Sequence, residues 1–454
     1  MAEMQWYAAT DSGRFDGTTA ITPRSGAVCL RAELPAGVLQ NAVAALPWTM
    51  AREEKIFMNG YQTWTACPEL GKWDRQHGVE RVPKFLLEKY SFDRYGDYHF
   101  VPYSGKRGQS HGFSYCYFRR GKTYRLLASL DEAPGYTIFS YDSRAAQLRI
   151  ERDCAGVQHT GGSFPAFSLF FAEGTEDEVF DAWFAALGCR PRTTRRLAGY
   201  SSWYNRYQNI DEASIQEDLN GCKTLFRAGD LFQIDDGWER KVGDWLEPDP
   251  AKFPNGLRPL ADAAHESGFL AGLWLAPFVC EKESLLCKDH PDWLLQVDGQ
   301  PGAAAATGAA FMRWTSTTRR YRPTSSRSLT ASCRIGALTL LSWTFSTAQH
   351  RSATPGNPAQ DDAARMALLR SWCGDKLILG CGVPVMPAFG IVDYCRIGCD
   401  VGLDWDDVWY MRLFHRERVS TKQSIGNTIS AASSTGVLTA ATPMYSSCAR
   451  KTAS

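Results

Sequence analysis

Through the first 190 positions apolar and polar residues alternate in short runs. Gly112-Phe-Ser-Tyr-Cys-Tyr-Phe118 and Tyr124-Arg-Leu-Leu-Ala-Ser129 are two of them, and a period of two predicts strands with one buried face. Turn signals separate the runs; Ala133-Pro134-Gly135 contains a Pro-Gly pair that favours a tight turn. With few helical periods in this stretch, the pattern predicts an all-β sandwich over residues 1–190.

The period changes after Thr175. Glu176 to Leu187 is apolar at helical spacing and leads into an Arg- and Thr-rich linker, Gly188 to Arg196. Strands and helices then alternate. Gly199 to Trp203, Leu231 to Asp236, Phe269 to Ala276, Lys376 to Leu379 and Val392 to Ile397 read as strands. Asp211 to Phe226, with Asp211 as N-cap, Leu257 to Ser267, stopped by Gly268, and Ala363 to Cys373 read as helices. Repeated βα units imply a parallel sheet. Asp235, Asp236, Trp274, Cys381 and Asp400 fall at or just beyond strand C-terminal ends, the rim that carries chemistry in a (β/α)8 TIM barrel. The barrel is expected over residues 197–429. The alternative is a doubly wound sheet, but no Gly-rich dinucleotide fingerprint follows the first strand.

Charge narrows the partners. Lys plus Arg number 50 against 49 acids, a net charge of +1, which gives no argument for nucleic acid or an anionic membrane. The 15 Trp, 18 Tyr and 23 Phe suit a carbohydrate ligand, whose faces stack on flat rings, or equally an aromatic core. Residues 1–10 lack a basic head followed by an apolar run, and no apolar stretch is long enough to span a bilayer. The 14 cysteines follow no secreted-scaffold spacing, so free thiols and a cytoplasmic location are expected. Cys395 and Cys399 have no partner pair to complete a zinc set, and no metal is expected.

Asp235 and Asp236 end a buried strand, where adjacent carboxylates are costly unless they meet hydrogen-bond donors such as sugar hydroxyls. A helix cap or a loop salt bridge is the plainer role for such a pair. Downstream, Gly243-Asp-Trp245, Lys252-Phe-Pro-Asn-Gly-Leu257, Gly272-Leu-Trp-Leu-Ala-Pro277 and His290-Pro-Asp-Trp293 follow in order. This series resembles the α-galactosidases of glycoside hydrolase family 36, as do Trp372 to Asn427 and, in the β region, Asn59-Gly-Tyr-Gln-Thr-Trp64. The resemblance implies retaining hydrolysis of terminal α-linked galactose from raffinose-type oligosaccharides without a cofactor, by a nucleophilic carboxylate and an acid/base carboxyl. It implies that Asp235 and Asp236 grip galactose hydroxyls, that Trp203 and Trp274 wall the pocket, and that Cys381 lies near the sugar. Asp400 would be the acid/base and Arg396 its partner, with Asp404, Asp406 and Asp407 as competitors. Core packing is the plainer role for the tryptophans and for Cys381. A transglycosylase or an α-N-acetylgalactosaminidase would share these motifs. Relatives of this kind are often homo-oligomers.

One part of the resemblance is missing. The family nucleophile is an aspartate ending the fourth barrel strand in a Lys-x-Asp pattern, yet positions 300–360 hold no Asp or Glu. This stretch, 299–360, reads as an aberrant, Ser/Thr/Arg-rich segment, irregular from Gly302 to Gln360, in a barrel damaged at its fourth strand. The tail 430–454 is also acid-free and reads as aberrant, and the expectation is of a chain without the C-terminal β domain of the family. A frame error accounts for both stretches. Read from the last nucleotide of each codon, a Trp-Thr pair encodes Asp, which places aspartates at Trp314-Thr315 and Trp343-Thr344. A true divergent insert is the alternative. Loss of the nucleophile implies an inactive chain, that is, a non-catalytic sugar-binding remnant. A binding role confined to the β region is a third reading.

Overall fold

The computed structural model describes residues 2–90, 96–294, 296–297, 300–301, 303–304, 311–313, 338–344, 357–402, 404–406, 408–409, 419–430 and 440–441. The first part builds two antiparallel sheets. One runs Gly13–Ile21, Ala2–Thr10, Gly37–Pro47, Gln147–Asp153, Tyr136–Asp142, Gln109–Phe113; the other runs Gly26–Leu34, Gly162–Gly174, Thr123–Ser129, Tyr115–Arg120, Lys55–Met58, Leu70–Gly71. Alternation along Ala2–Thr10 turns Met4, Trp6 and Ala8 inward, where they meet Leu30, Ala32 and Phe118 of the facing sheet.

The second sheet is buried on both faces. Its outer side is covered by the helix Glu176–Leu187, whose Val179, Phe180, Trp183 and Phe184 pack on Phe57, Tyr115 and Leu126. Each of these large side chains contributes about 1.5–3 kcal/mol by leaving water. The helix begins where the Glu178 carboxylate accepts the Thr175 N–H at 2.8 Å, and it ends at Gly188 with φ of 63°. The run 112–118, read as one strand, is two. Ser114, at φ of 65°, breaks it, and the chain passes there from the first sheet to the second. The kink is held because Ser114 N–H donates to Thr137 O at 2.8 Å and Ser129 N–H donates to Ser114 O at 2.7 Å.

The second part forms a parallel sheet of seven described strands. In order they are Gly199–Ser201, Leu231–Ile234, Leu270–Leu275, Leu340–Thr344, Leu377–Cys381, Tyr394–Cys395 and Ala440–Ala441. Strand order follows chain order, as in a barrel rather than a doubly wound sheet. Among the described residues the sheet is a half-barrel, without an eighth strand or a pairing between first and last. The helices Glu212–Leu225, Arg258–Glu266 and Pro358–Cys373 lie between strands; Asp211 caps the first, accepting Ser214 N–H at 2.8 Å. No helix of the described residues is long and apolar enough to cross a membrane.

The expectation of irregular structure from Gly302 to Gln360 is corrected at its centre and end. Leu340–Thr344 is a regular strand paired on both sides, Leu340 with Gly272 and with Leu377, and Leu340 and Leu341 are fully buried. A parallel strand requires backbone partners and apolar faces, and Leu-Leu-Ser-Trp-Thr supplies both without an acid. Asn357 caps the helix that starts at Pro358, five residues earlier than the sequence suggested. Beyond Ser430, Ala440–Ala441 pairs with Tyr394–Cys395; the rest of the tail lies outside the described residues, as does 314–337.

Candidate active site at the strand ends

The sheet register sets the rim. Ile234 pairs with Leu273, Trp274 with Ser342, Ser342 with Leu379 and Thr344 with Cys381. Asp235, Trp274, Thr344 and Cys381 therefore follow one another around the C-terminal edge, and Arg396 leaves the edge directly after Cys395.

Asp235 is buried at 8 % exposure. Its carboxylate accepts Ser201 Oγ at 2.9 Å, Gln233 Nε2 at 2.5 Å and the Asp236 N–H at 2.9 Å. Burial pushes the carboxyl up to about 6, against the pull of those three donors. Asp236 accepts Gln208 Nε2 at 2.8 Å. The Asp-Asp-Gly turn is fixed by Lys252, whose ammonium donates to Gly237 O at 2.8 Å and Gln208 O at 3.1 Å. Gly237 has φ of 110°, and a Cβ there would lie 2.7 Å from the Gln208 backbone, so no larger residue fits.

Asp400 is the other focus. Trp203 Nε1 donates to its Oδ2 at 3.2 Å, the Tyr204 hydroxyl to its Oδ1 at 3.4 Å, and the Arg396 guanidinium to its Oδ1. Burial is the largest single influence and opposes the Arg396 charge, but Asp400, Tyr204, Cys381 and Cys399 together outweigh it and hold the guanidinium well above its ordinary range. Trp203 begins the short helix Trp203–Arg206 rather than ending a strand, and that turn aims its indole across the rim. Trp274 is partly buried; its carbonyl accepts Trp238 Nε1 at 3.0 Å, and its ring meets Trp245 edge-on at 5.9 Å. Cys381 is buried, 3.6 Å from Ser342 Oγ, and burial raises its thiol. Asp235, Arg396 and Asp400 all lie close enough to act on the Cys381 thiol. Asp406 is engaged elsewhere, accepting Ser420 Oγ at 3.0 Å, Asp404 is exposed, and Asp407 lies outside the described residues.

Sequence reasoning missed four contributors. Tyr204 and Ser201 neighbour Trp203 in the chain. Glu239 follows the Asp-Asp-Gly-Trp motif, and its buried carboxyl is pushed well above the ordinary range by desolvation and by the neighbouring Asp236. No local signal marks Trp64 as a site residue. It lies on the loop 59–67 of the β region, which docks on the rim: Thr63 N–H donates to Val383 O at 3.0 Å, and Gly398 N–H to Thr63 O at 2.7 Å. The loop sets the Trp64 ring 5.5 Å from the Arg396 guanidinium carbon. Among the described residues no group of three His, Cys, Asp or Glu side chains could hold a metal ion.

Residues 194–310 match the model of the melibiase family. "Alpha-galactosidase 2" of Pediococcus pentosaceus is 34% identical over 119 residues, 24% of this chain and 16% of that protein. "Alpha-galactosidase AgaA" of Geobacillus stearothermophilus is 35% identical over 266 residues, 52% of this chain and 34% of that protein. The chain thus spans at most about a third of these curated relatives. Among solved structures, the α-galactosidase TtGalA of Thermus thermophilus, in complex with p-nitrophenyl α-D-galactopyranoside, superposes with a TM-score of 0.72. That match has 24% identity and covers 93% of this chain and 79% of that chain. The fold is that of solved α-galactosidases, which are glycoside hydrolases. In sequence, residues 194–310 are similar to the melibiase family, and longer stretches to curated α-galactosidases.

Proposed function

We propose that the rim takes the terminal galactose of α-galactoside oligosaccharides and is built for retaining hydrolysis. The observation that supports this best is the convergence of Trp203, Tyr204 and Arg396 on Asp400, across the rim from buried Asp235. In this reading Asp235 and Asp236 accept hydroxyl hydrogens of the sugar, Trp203 and Trp274 cover its faces, and Cys381 marks its floor. As acid, Asp400 delivers its proton to the departing glycosidic oxygen; as base, it later takes one from water.

A second reading has its own support. Retention needs a further carboxylate roughly 5–5.5 Å from the acid to form the glycosyl-enzyme. The fourth strand ends Ser342-Trp343-Thr344, and positions 300–360 hold no Asp or Glu. The rim would then bind galactosides without turning them over. Two measurements on the purified chain separate the readings: release of p-nitrophenol from p-nitrophenyl α-galactoside, and calorimetric titration with galactose. Turnover abolished by Asp400→Asn supports the enzyme. Galactose binding that is lost in Asp235→Ala, without turnover, supports the remnant. Absence of both would sink the galactoside site itself.

A further inference from the structure

Away from the rim, three turns meet beside the edge strand Gln109–Phe113. Asp142 pairs with Gln109, Ser143 N–H donates to Gly108 O at 2.8 Å, and Gly108 N–H donates to Asp74 O at 3.0 Å. Gln76 clamps the His111 backbone, donating to its carbonyl at 2.6 Å and accepting its N–H at 2.8 Å. The turns are thus fixed to the sheet before any ligand arrives.

Two cavities, of about 270 and 430 Å³, open between these turns and share Arg75 and Arg107. Lys106 and Arg144 line the smaller, Arg81 and Trp73 the larger. The local acids are already committed. Asp74 accepts Gly71 N–H at 2.6 Å, Glu80 meets His77 at 2.9 Å and accepts Gly78 N–H at 2.7 Å, and Asp142 accepts Gln109 Nε2 at 2.8 Å and Arg144 N–H at 2.8 Å. Among the described residues none of the five cations forms a salt bridge; Arg144 acts on Asp142 through charge at longer range. In a chain whose net charge is only +1, this is a local excess of positive charge, five cations against those three carboxylates. Beside it the Trp73 indole is 47% exposed.

We propose that this end of the β region binds an acidic saccharide, a sugar carrying carboxylate or sulfate groups. Paired guanidinium groups match the oxyanion, and a neighbouring indole offers a flat face to the ring that carries it. The larger cavity falls within the roughly 300–1,000 Å³ usual for small-ligand sites. The small, open cavities with walls fixed to the sheet suit a single ring unit. None of the rim residues lines either cavity, so this site stands or falls independently of the galactoside site.

The test is titration of the purified chain, followed by calorimetry, with a galacturonate oligomer, a sulfated galactan fragment, a neutral galactan oligomer, a single-stranded oligonucleotide of equal charge and inorganic phosphate. One or both acidic saccharides bind, and the neutral oligomer does not. Arg75→Ala and Arg107→Ala each weaken binding about tenfold or more, and added salt weakens it further. Trp73→Ala weakens saccharide binding and leaves phosphate unaffected. Far-ultraviolet circular dichroism and the melting temperature confirm that these surface variants fold, and Trp73→Lys provides a second, charge-adding probe that should weaken saccharide binding too. Equal affinity for phosphate alone, equal affinity for the oligonucleotide, or no binding of either acidic saccharide each overturns the proposal.

Discussion

Glu239 is a buried carboxyl held neutral. Burial and the charge of Asp236 keep its proton on, so the Asp-Asp-Gly turn carries one negative charge fewer at neutral pH. Glu239→Gln preserves a neutral side chain of the same size and should leave galactose affinity within about twofold, whereas Glu239→Ala opens a cavity beside the turn and should weaken binding about tenfold. Because the Glu239 value is raised, its proton leaves as pH climbs. Wild-type affinity should therefore fall toward alkaline pH while Glu239→Gln stays level; calorimetry across pH decides it. Asp235 shows the opposite compromise. Its carboxyl is raised from 3.8 to about 6. Between those pH values the folded chain holds a proton that the unfolded chain has released, so stability falls as pH rises through the interval. The cost at pH 7 is about 3 kcal/mol. Asp235→Asn should therefore raise the urea midpoint at pH 7, match wild type near pH 4 and lose galactose binding. A variant no more stable at pH 7 would refute this account of the buried charge.

At the scale of elements, much was legible because local signals agreed with the fold. The period-two runs, the helix Glu176–Leu187 and the Asp211 cap each have a short-range cause, and each is observed. The failures also have causes. Ser114 breaks an apparently continuous strand because each sheet supplies one of its two backbone hydrogen bonds, and alternation carries no sign of which sheet a residue joins. Leu340–Thr344 was hidden by the composition around it, although five residues with two buried leucines suffice for a strand held on both sides. Rim residues adjacent in sequence, such as Asp235 and Asp236, were readable as a motif. Trp64 was not, because its closeness to Arg396 depends on a contact across more than three hundred positions. Two predictions belong here. Resequencing the DNA encoding residues 298–361 should reveal a displaced frame; an intact frame would end that explanation. If the chain binds galactose without turnover, Thr344→Asp returns a carboxyl to the end of the fourth strand, at the position paired with Cys381, and should produce measurable p-nitrophenol release where the parent gives none.

For the molecule as a whole, the β region and the parallel sheet are joined by buried polar bonds as well as apolar contact. Asp362, on the helix Pro358–Cys373, accepts the hydroxyls of Tyr61 and, at 2.7 Å, Tyr136, both from the β region and both fully buried. Asp362→Ala would strand these hydroxyls at about 1–3 kcal/mol each. Calorimetric unfolding should then show the two halves melting separately, or a transition several degrees lower; an unchanged single transition would argue that the bonds do not couple them. The loop 59–67 carries the same connection to the rim. Its Trp64 lies beside the cation that contacts Asp400, so this part of the rim is not portable. Recombination that moved the parallel sheet onto a different neighbour would transmit every residue of the Asp-Asp-Gly-Trp motif, yet deliver an Arg396 missing one wall. Inheritance of this site is therefore expected to run in units of β region and sheet together.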